Sequence, residues 1–178
     1  MKMLENDHIR LRAPEPEDLD ILYKWENNTE WWQYGSSIVP FSRFALKQYL
    51  IQSKQDIYQD KQLRLMVELK STHATIGSID LYDFDPFHLR AGVGILVDEN
   101  YHRQGYASQI LELLEAYCFG FLRLNQLYAV VPVQNTRSIN LFKKSGYILS
   151  GTLQKWLSSG DFYEDATLFQ KINHKTYG

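Results

Sequence analysis

The chain has 178 residues, 44% hydrophobic and 22% charged, with a formal net charge of -2 at pH 7. That length suits about one domain with a substantial core, and a charge balance without a basic stripe excludes a non-specific nucleic-acid binder. A single cysteine, Cys118, excludes an internal disulfide framework, and no stretch reaches the ~20 apolar residues of a membrane span. The expectation is a cytoplasmic protein with neither nucleic acid nor membrane as partner.

In chain order, His8-Ile9-Arg10-Leu11-Arg12 alternates polar and apolar, which predicts an edge or half-buried strand. Pro16 then suits the start of a helix with Glu17 and Asp18 in its first turn and Leu19, Leu22 and Trp25 as its stripe. Residues 29–44 read as a loop rich in aromatics: Trp31, Trp32, Tyr34, Phe41 and Phe44. Two readings stand open for it. The rings pack under the loop or against another subunit, or they line a substrate mouth beside Glu30, where a cation meets a ring face. Ser42 predicts an N-cap for a second helix through Leu46, Tyr49 and Leu50.

Residues 63–69 (LRLMVEL) predict a strand, and 75–82 (TIGSIDLY) a second one with Ser78, Asp80 and Tyr82 sharing a face. Asp83-Phe84-Asp85-Pro86 closes it. The central stretch, 91–114 (AGVGILVDENYHRQGYASQILELL), opens as a strand with glycines at 92 and 94. It passes through a short basic loop with Gly105 and enters an amphipathic helix carrying Ile110, Leu111, Leu113 and Leu114. A strand, a glycine loop and a helix N-terminus gather unpaired backbone N–H groups and the positive end of the dipole at one point, which favours a phosphate. Gly105 permits close approach, and Arg103 adds a charged donor. The motif is neither G-x-G-x-x-G nor GxxxxGK[ST].

Residues 126–131 predict another strand beside the central one. Asn135 starts a helix with Lys143 and Lys144 near its end and Gly146 past it, and 147–153 with 162–172 form a last hairpin. The order β-α-α-β-β-β-α-β-α-β-β describes one mixed α/β sheet with helices on both faces.

His102-Arg103-Gln104-Gly105-Tyr106-Ala107 resembles the pyrophosphate loop of the GNAT acetyltransferases, with His102 where the family has Gln or Arg. Three further stretches are similar to one GNAT branch, that of ribosomal-protein N-terminal acetyltransferases and spermidine N-acetyltransferases. They are Ile9-Arg10-Leu11-Arg12 followed by Glu17-Asp18-Leu19; the run from Asn135 through Ser138, Ile139, Leu141, Phe142 and Lys144 to Gly146-Tyr147; and the turn Gly160-Asp161-Phe162-Tyr163-Glu164-Asp165.

The resemblance implies a single N-acetyltransferase domain over residues 1–178, with its core at about 8–172. It implies the acyl-CoA N-acyltransferase fold, in which a largely antiparallel twisted sheet splays at its middle strands, and acetyl-CoA as cosubstrate. The expected cofactor contacts are Val93, Ile95, Leu96 and Val97 on the strand, His102, Arg103, Gln104, Gly105, Tyr106, Ala107 and Ser108 in the loop, and Asn135, Ser138, Phe142 and Lys144 on the later helix. A homodimer or higher homo-oligomer is expected as well.

Two family positions depart. Phe142 stands where spermidine enzymes carry a tyrosine acid, and Gly92 where many members carry a glutamate base. The replacement candidates are Asp80 as base, then Asp83, Asp85 and His88, with Ser138 as acid and Asn135 beside the leaving sulfur. Asp83 and Asp85 also suit plain turn formers before Pro86. Expected substrate contacts are Glu30, Trp31, Trp32, Tyr34, Asp80, Tyr82 and Asp83. Cys118 has no paired histidine, and His8, His73, His88 and His102 are too scattered for a metal. The acceptor is a polyamine, a small-molecule amine or a protein N-terminus. The losses at Gly92 and Phe142 leave a catalytically impaired acyl-CoA-binding protein as the rival, and the aromatic segment leaves an interaction module as a second.

Overall fold

A computed structural model describes residues 3–34 and 37–175. Among these residues seven strands form one sheet: β1 (Ile9–Arg12), β2 (Leu63–Leu69), β3 (Thr75–Asp85), β4 (Arg90–Val97), β5 (Gln126–Pro132), β6 (Ile148–Ser159) and β7 (Phe162–Ile172). Their order is β1-β2-β3-β4-β5-β7-β6. Every pairing is antiparallel except β4 with β5. The helices are α1 (Leu19–Glu26), α2 (Thr29–Trp32), α3 (Arg43–Gln52), α4 (Ile57–Asp60), α5 (Tyr106–Glu115) and α6 (Thr136–Lys144).

Local chemistry sets the ends of these elements. Pro16 opens a tight turn, 16–18, that leads into α1. Ser42 caps α3 by accepting from Ala45 N–H at 3.0 Å, and Asn135 caps α6 by accepting from Ser138 N–H at 3.2 Å. Past α6, Gly146 takes φ +86°; its N–H reaches the Lys143 carbonyl and that of Tyr147 the Phe142 carbonyl, which is a Schellman ending. Three features differ from the sequence reading. The segment 29–44 contains α2, which Asn28 caps through Glu30 N–H. A one-turn helix, α4, stands before β2, with Asp56 as cap. β3 continues through a bulge to Asp85 instead of closing at Asp83.

The sheet is covered on both faces. Under one face, Ile110, Leu111 and Leu114 of α5 and Phe142 of α6 join β-strand residues such as Ile79, Val93, Leu127 and Phe169. On the other, Leu22 and Trp25 of α1 and Leu46 and Leu50 of α3 pack on Met66, with Leu96 against them. Gly77 lets β3 and β4 close up, because a Cβ there would sit 2.2 Å from the Leu96 carbonyl oxygen.

A charged network ties β1 to β2 and to the turn before α1. Arg12 meets Asp18 at 2.8 and 2.9 Å and Glu68 at 2.7 Å, while Glu68 also takes Arg10 at 2.6 Å and His73 at 3.0 Å. Burial opposes ionisation of Glu68, but the hydrogen bonds from His73, Arg12 and Arg10 prevail and hold its carboxyl at about 2. Among the described residues no helix is long and apolar enough to cross a membrane.

Candidate active site

β4 and β5 pair only at Arg90–Gln126, Ala91–Leu127 and Gly92–Tyr128, and then part. Beyond that point no strand among the described residues lies between the main-chain edges of 93–97 and 129–131, and a buried unpaired group costs about 1–3 kcal/mol. The opening leads into a cleft of about 650 Å³ that also takes in the loop after β4 and the start of α6.

The loop is held in place from both sides. Asp98 is buried and accepts from Trp25 Nε1 at 3.2 Å, with Lys24 at 3.4 Å, and from Asn100 N–H at 3.1 Å. Arg103 (φ +60°) and Gly105 (φ +79°) both adopt left-handed backbone and turn the chain sharply into α5. α5 has no side-chain N-cap. Its first-turn residues Tyr106, Ala107 and Ser108 line the cleft, so their amides and the helix dipole face it. Arg103, Arg137 and Lys144 add positive charge to this end. His102 spans the lip: its ring meets the Val97 carbonyl at 2.6 Å through Nε2 and Arg137 Nη1 at 2.6 Å through Nδ1. Because arginine only donates, Nδ1 accepts and Nε2 carries the proton.

The opposite end is built from side chains. Arg64 donates to Asp80 through Nε and Nη2, both at 2.8 Å, and to Glu26 through Nη1 at 2.6 Å. Burial works against the guanidinium's charge, but Asp80 and Glu26 outweigh it and push its pKa up. Two carboxylates on one guanidinium leave a net charge of about -1 on the cleft wall, beside Trp25, Trp31, Trp32 and Tyr34.

The structure gathers most of the residues expected from sequence. Ile95, Leu96, Val97, His102, Arg103, Gly105, Tyr106, Ala107, Ser108, Asn135, Ser138 and Lys144 line the end by the 101–108 loop and α6, and Trp31, Trp32, Tyr34 and Asp80 the other. Val93 turns its side chain into the core. Phe142 is also in the core, stacked on Phe169 at 6.2 Å and edge-on to Tyr147 at 5.0 Å. Gln104 points outward and reaches the Asn100 carbonyl at 3.3 Å.

Glu30 and Asp83 are exposed and outside the cleft lining, as is His88, whose ring meets Phe87 edge-on. Asp85 is a turn former that accepts from Phe87 and His88 N–H at 3.0 and 2.8 Å. Tyr82 stands behind the lining, at the point where the strands part. Both oxygens of Asp80 are engaged by Arg64, which gives it a charge-placing role in place of a free base. Cys118 is buried, and burial pushes its thiol up, out of reach as a nucleophile.

Sequence reasoning missed Arg64, Glu26, Tyr101, Arg137 and Asn140, all of which line the cleft. Arg64 was findable: antiparallel pairing of β2 with β3 sets it opposite Asp80, an opposite-charge cross-strand pair. Arg137 was findable as the second residue of the helix that Asn135 caps.

This parted sheet beside an uncapped helix has counterparts among known proteins. The acetyltransferase (GNAT) domain family model matches residues 8–148, and the chain belongs to that family; by family and fold it is an N-acetyltransferase. It is similar to an uncharacterized N-acetyltransferase, p20, of Bacillus licheniformis, 27% identical across 100% of both chains. It is also 27% identical to the spermidine N(1)-acetyltransferase of Escherichia coli, over 96% of this chain and 92% of that one. Among solved structures, the spermidine N-acetyltransferase of Vibrio cholerae in complex with CoA and spermine superposes with a TM-score of 0.83. It is 23% identical and covers 94% of this chain and 97% of its own.

Proposed function

We propose that the chain transfers the acetyl group of acetyl-CoA to a primary amine by direct attack, in the cleft between β4, the 101–108 loop and α6. One observation carries this reading: the sheet parts directly beside the uncapped N-terminus of α5. A pantetheine arm bears amides that can satisfy the open strand edges, and a diphosphate suits the first-turn amides with Arg103 and Arg137. The residues present therefore fit an acyl-CoA, which supplies an activated acetyl thioester.

A lysine-like amine, pKa ~10.4, must shed a proton before it attacks. The wall of Glu26, Arg64 and Asp80, with the indole and phenol rings, suits a cationic amine at the moment of binding. A polyamine or another small cationic amine fits this wall better than a protein N-terminus does. The leaving thiolate, pKa ~8.5, departs with little acid help, and the N-terminus of α6 with Ser138 and Asn135 can receive it. The same reading takes residues 1–178 as one transferase domain, core about 8–172, acting in the cytoplasm. It also takes the protein as a homodimer or higher homo-oligomer, with Ile38, Val39 and Phe44 as exposed apolar surface for the contact.

The test mixes protein, acetyl-CoA and an amine panel and follows thiol release. Release that depends on a cationic amine supports the reading. Tight CoA binding with no amine-dependent release across the panel favours the impaired acyl-CoA-binding protein suggested by Gly92 and Phe142. No heat with coenzyme A overturns both.

A further inference from the structure

One row of residues crosses three strands and ends at the gap. Register sets Arg64 of β2 opposite Asp80 of β3, and Asp80 opposite Gly94 of β4, two residues past the last pair with β5. All three line the cleft, on the sheet face that α1 covers. Gly94 leaves the row open towards the parted strand, since a Cβ there would meet nothing nearer than 4.0 Å. Glu26, the last residue of α1, joins the row through Arg64.

The two carboxylates differ in what they leave free. Both oxygens of Asp80 accept from Arg64, at 2.8 Å each. Glu26 offers Arg64 only Oε1; its Oε2 accepts from no described residue, and its side chain is 20% exposed. Glu26 and Asp80 are the acids among the described residues of the lining, and Arg64 cancels one of them. Glu30 is exposed and outside the lining, so it supplies no second anion there. This end therefore presents one free carboxylate oxygen and one net negative charge. Its remaining surface is largely apolar: Leu22, Trp31, Trp32 and Tyr34. Trp32 donates its indole N–H to the Glu26 carbonyl at 2.8 Å, which holds that ring close to the residue bearing the free oxygen. Towards the loop, Arg103, Arg137 and Lys144 make the lining positive.

We propose that Glu26 Oε2 seats the acceptor's ammonium and that the acceptor is a monoamine, one cationic nitrogen on an apolar or aromatic body. This rests on the transferase reading above and takes its small cationic amine over the polyamine. An ammonium has three donors and no acceptor, so it pairs with a carboxylate oxygen in a charge-assisted bond and lies well against ring faces. A second ammonium on the same molecule meets no second free carboxylate. Whether it lies on the rings or turns towards the arginines, it loses water without gaining a counterion. Methylenes or a ring in its place bury apolar surface against Trp31 and Trp32. The wall thus sorts amines by what stands at the far end of the molecule.

The experiment sets hexylamine against hexamethylenediamine, which adds a terminal ammonium to the same chain. Both are tried with the wild type and with Glu26→Gln, whose side-chain oxygen can still accept from Arg64. It reads kcat and KM for amine-dependent thiol release, with calorimetric affinities for acetyl-CoA and for each amine in the presence of CoA. The wild type should favour hexylamine in kcat/KM by about tenfold or more. Glu26→Gln should raise KM for hexylamine by about 10- to 100-fold and leave acetyl-CoA affinity within about twofold. A diamine used as well as hexylamine, or better, overturns the monoamine assignment. An unchanged amine KM in the variant overturns the seat at Glu26. If the wild type releases no thiol with either amine, the transferase reading fails, and calorimetry still decides here. Tighter binding of hexylamine supports the seat; a diamine bound as tightly or more so, or neither amine bound, overturns it.

Discussion

At the loop 101–108 the cleft is shaped by a turn: two left-handed residues, Arg103 and Gly105, turn the chain, and the uncapped first turn of a helix lines it. At the Glu26–Arg64–Asp80 end it is lined by side chains held by other side chains, drawn from α1, β2 and β3. A backbone site depends on dihedral angles and tolerates a changed side chain. A side-chain site depends on charges that leave each other stranded when one partner is removed. The Glu26–Arg64–Asp80 end is thus the one whose character substitutions change most readily, while the loop end is fixed by the turn.

The largest effect that would sharpen this contrast is expected for Arg64→Ala. It leaves Asp80 and Glu26, both partly buried, without their counterion. Stability should fall by about 2–3 kcal/mol and kcat/KM for cationic amines by roughly 10²-fold, while CoA affinity stays within about twofold. Equal loss of CoA affinity and amine turnover would break the contrast. Next comes Gly105→Val, which forces a β-branched residue to φ +79°. About 1–2 kcal/mol of strain and at least about a tenfold loss of CoA affinity should follow, with the ranking of amines preserved.

Glu68→Gln belongs to neither end and serves as the control. The native carboxyl sits at about 2 against an ordinary value near 4.5, so its contribution is fully present above about 4.5 and lost as pH falls towards 2. The variant should lose roughly 1–2 kcal/mol at pH 7, keep both binding activities, and show a flatter acid limb between those values in a melting series. The smallest effect is expected for Arg103→Ala, about two- to fivefold in CoA affinity and shrinking further in high salt, because the backbone donors remain.

The same contrast explains what could be read from the sequence. The loop was legible because Gly105, its basic neighbours and the helix that follows are contiguous, and the chemistry of a helix N-terminus needs no tertiary information. Caps at Ser42 and Asn135 were legible for the same reason. The charged wall was not, since Glu26, Arg64 and Asp80 are far apart in the chain and meet only once the strands are in register. Glu30 drew attention by standing next to Trp31, yet on the short α2 it faces solvent while Glu26, at the end of α1, lines the cleft. Phe142 was placed at the cofactor by its motif, but the apolar side of α6 sends it into the core. Tyr82 was read as a substrate contact from alternation alone, which gives a face and not the neighbour across the sheet.

Among the described residues, the three pairs between β4 and β5 are all that joins the leaf β1–β4 to the leaf β5–β7 by a ladder of hydrogen bonds. With so short a spine, the angle between the leaves is governed by what is wedged beneath them, and Phe142 stacked on Phe169 is part of that wedge. How wide this molecule gapes is therefore a matter of interior volume, and trimming a ring far from any ligand should retune its grip.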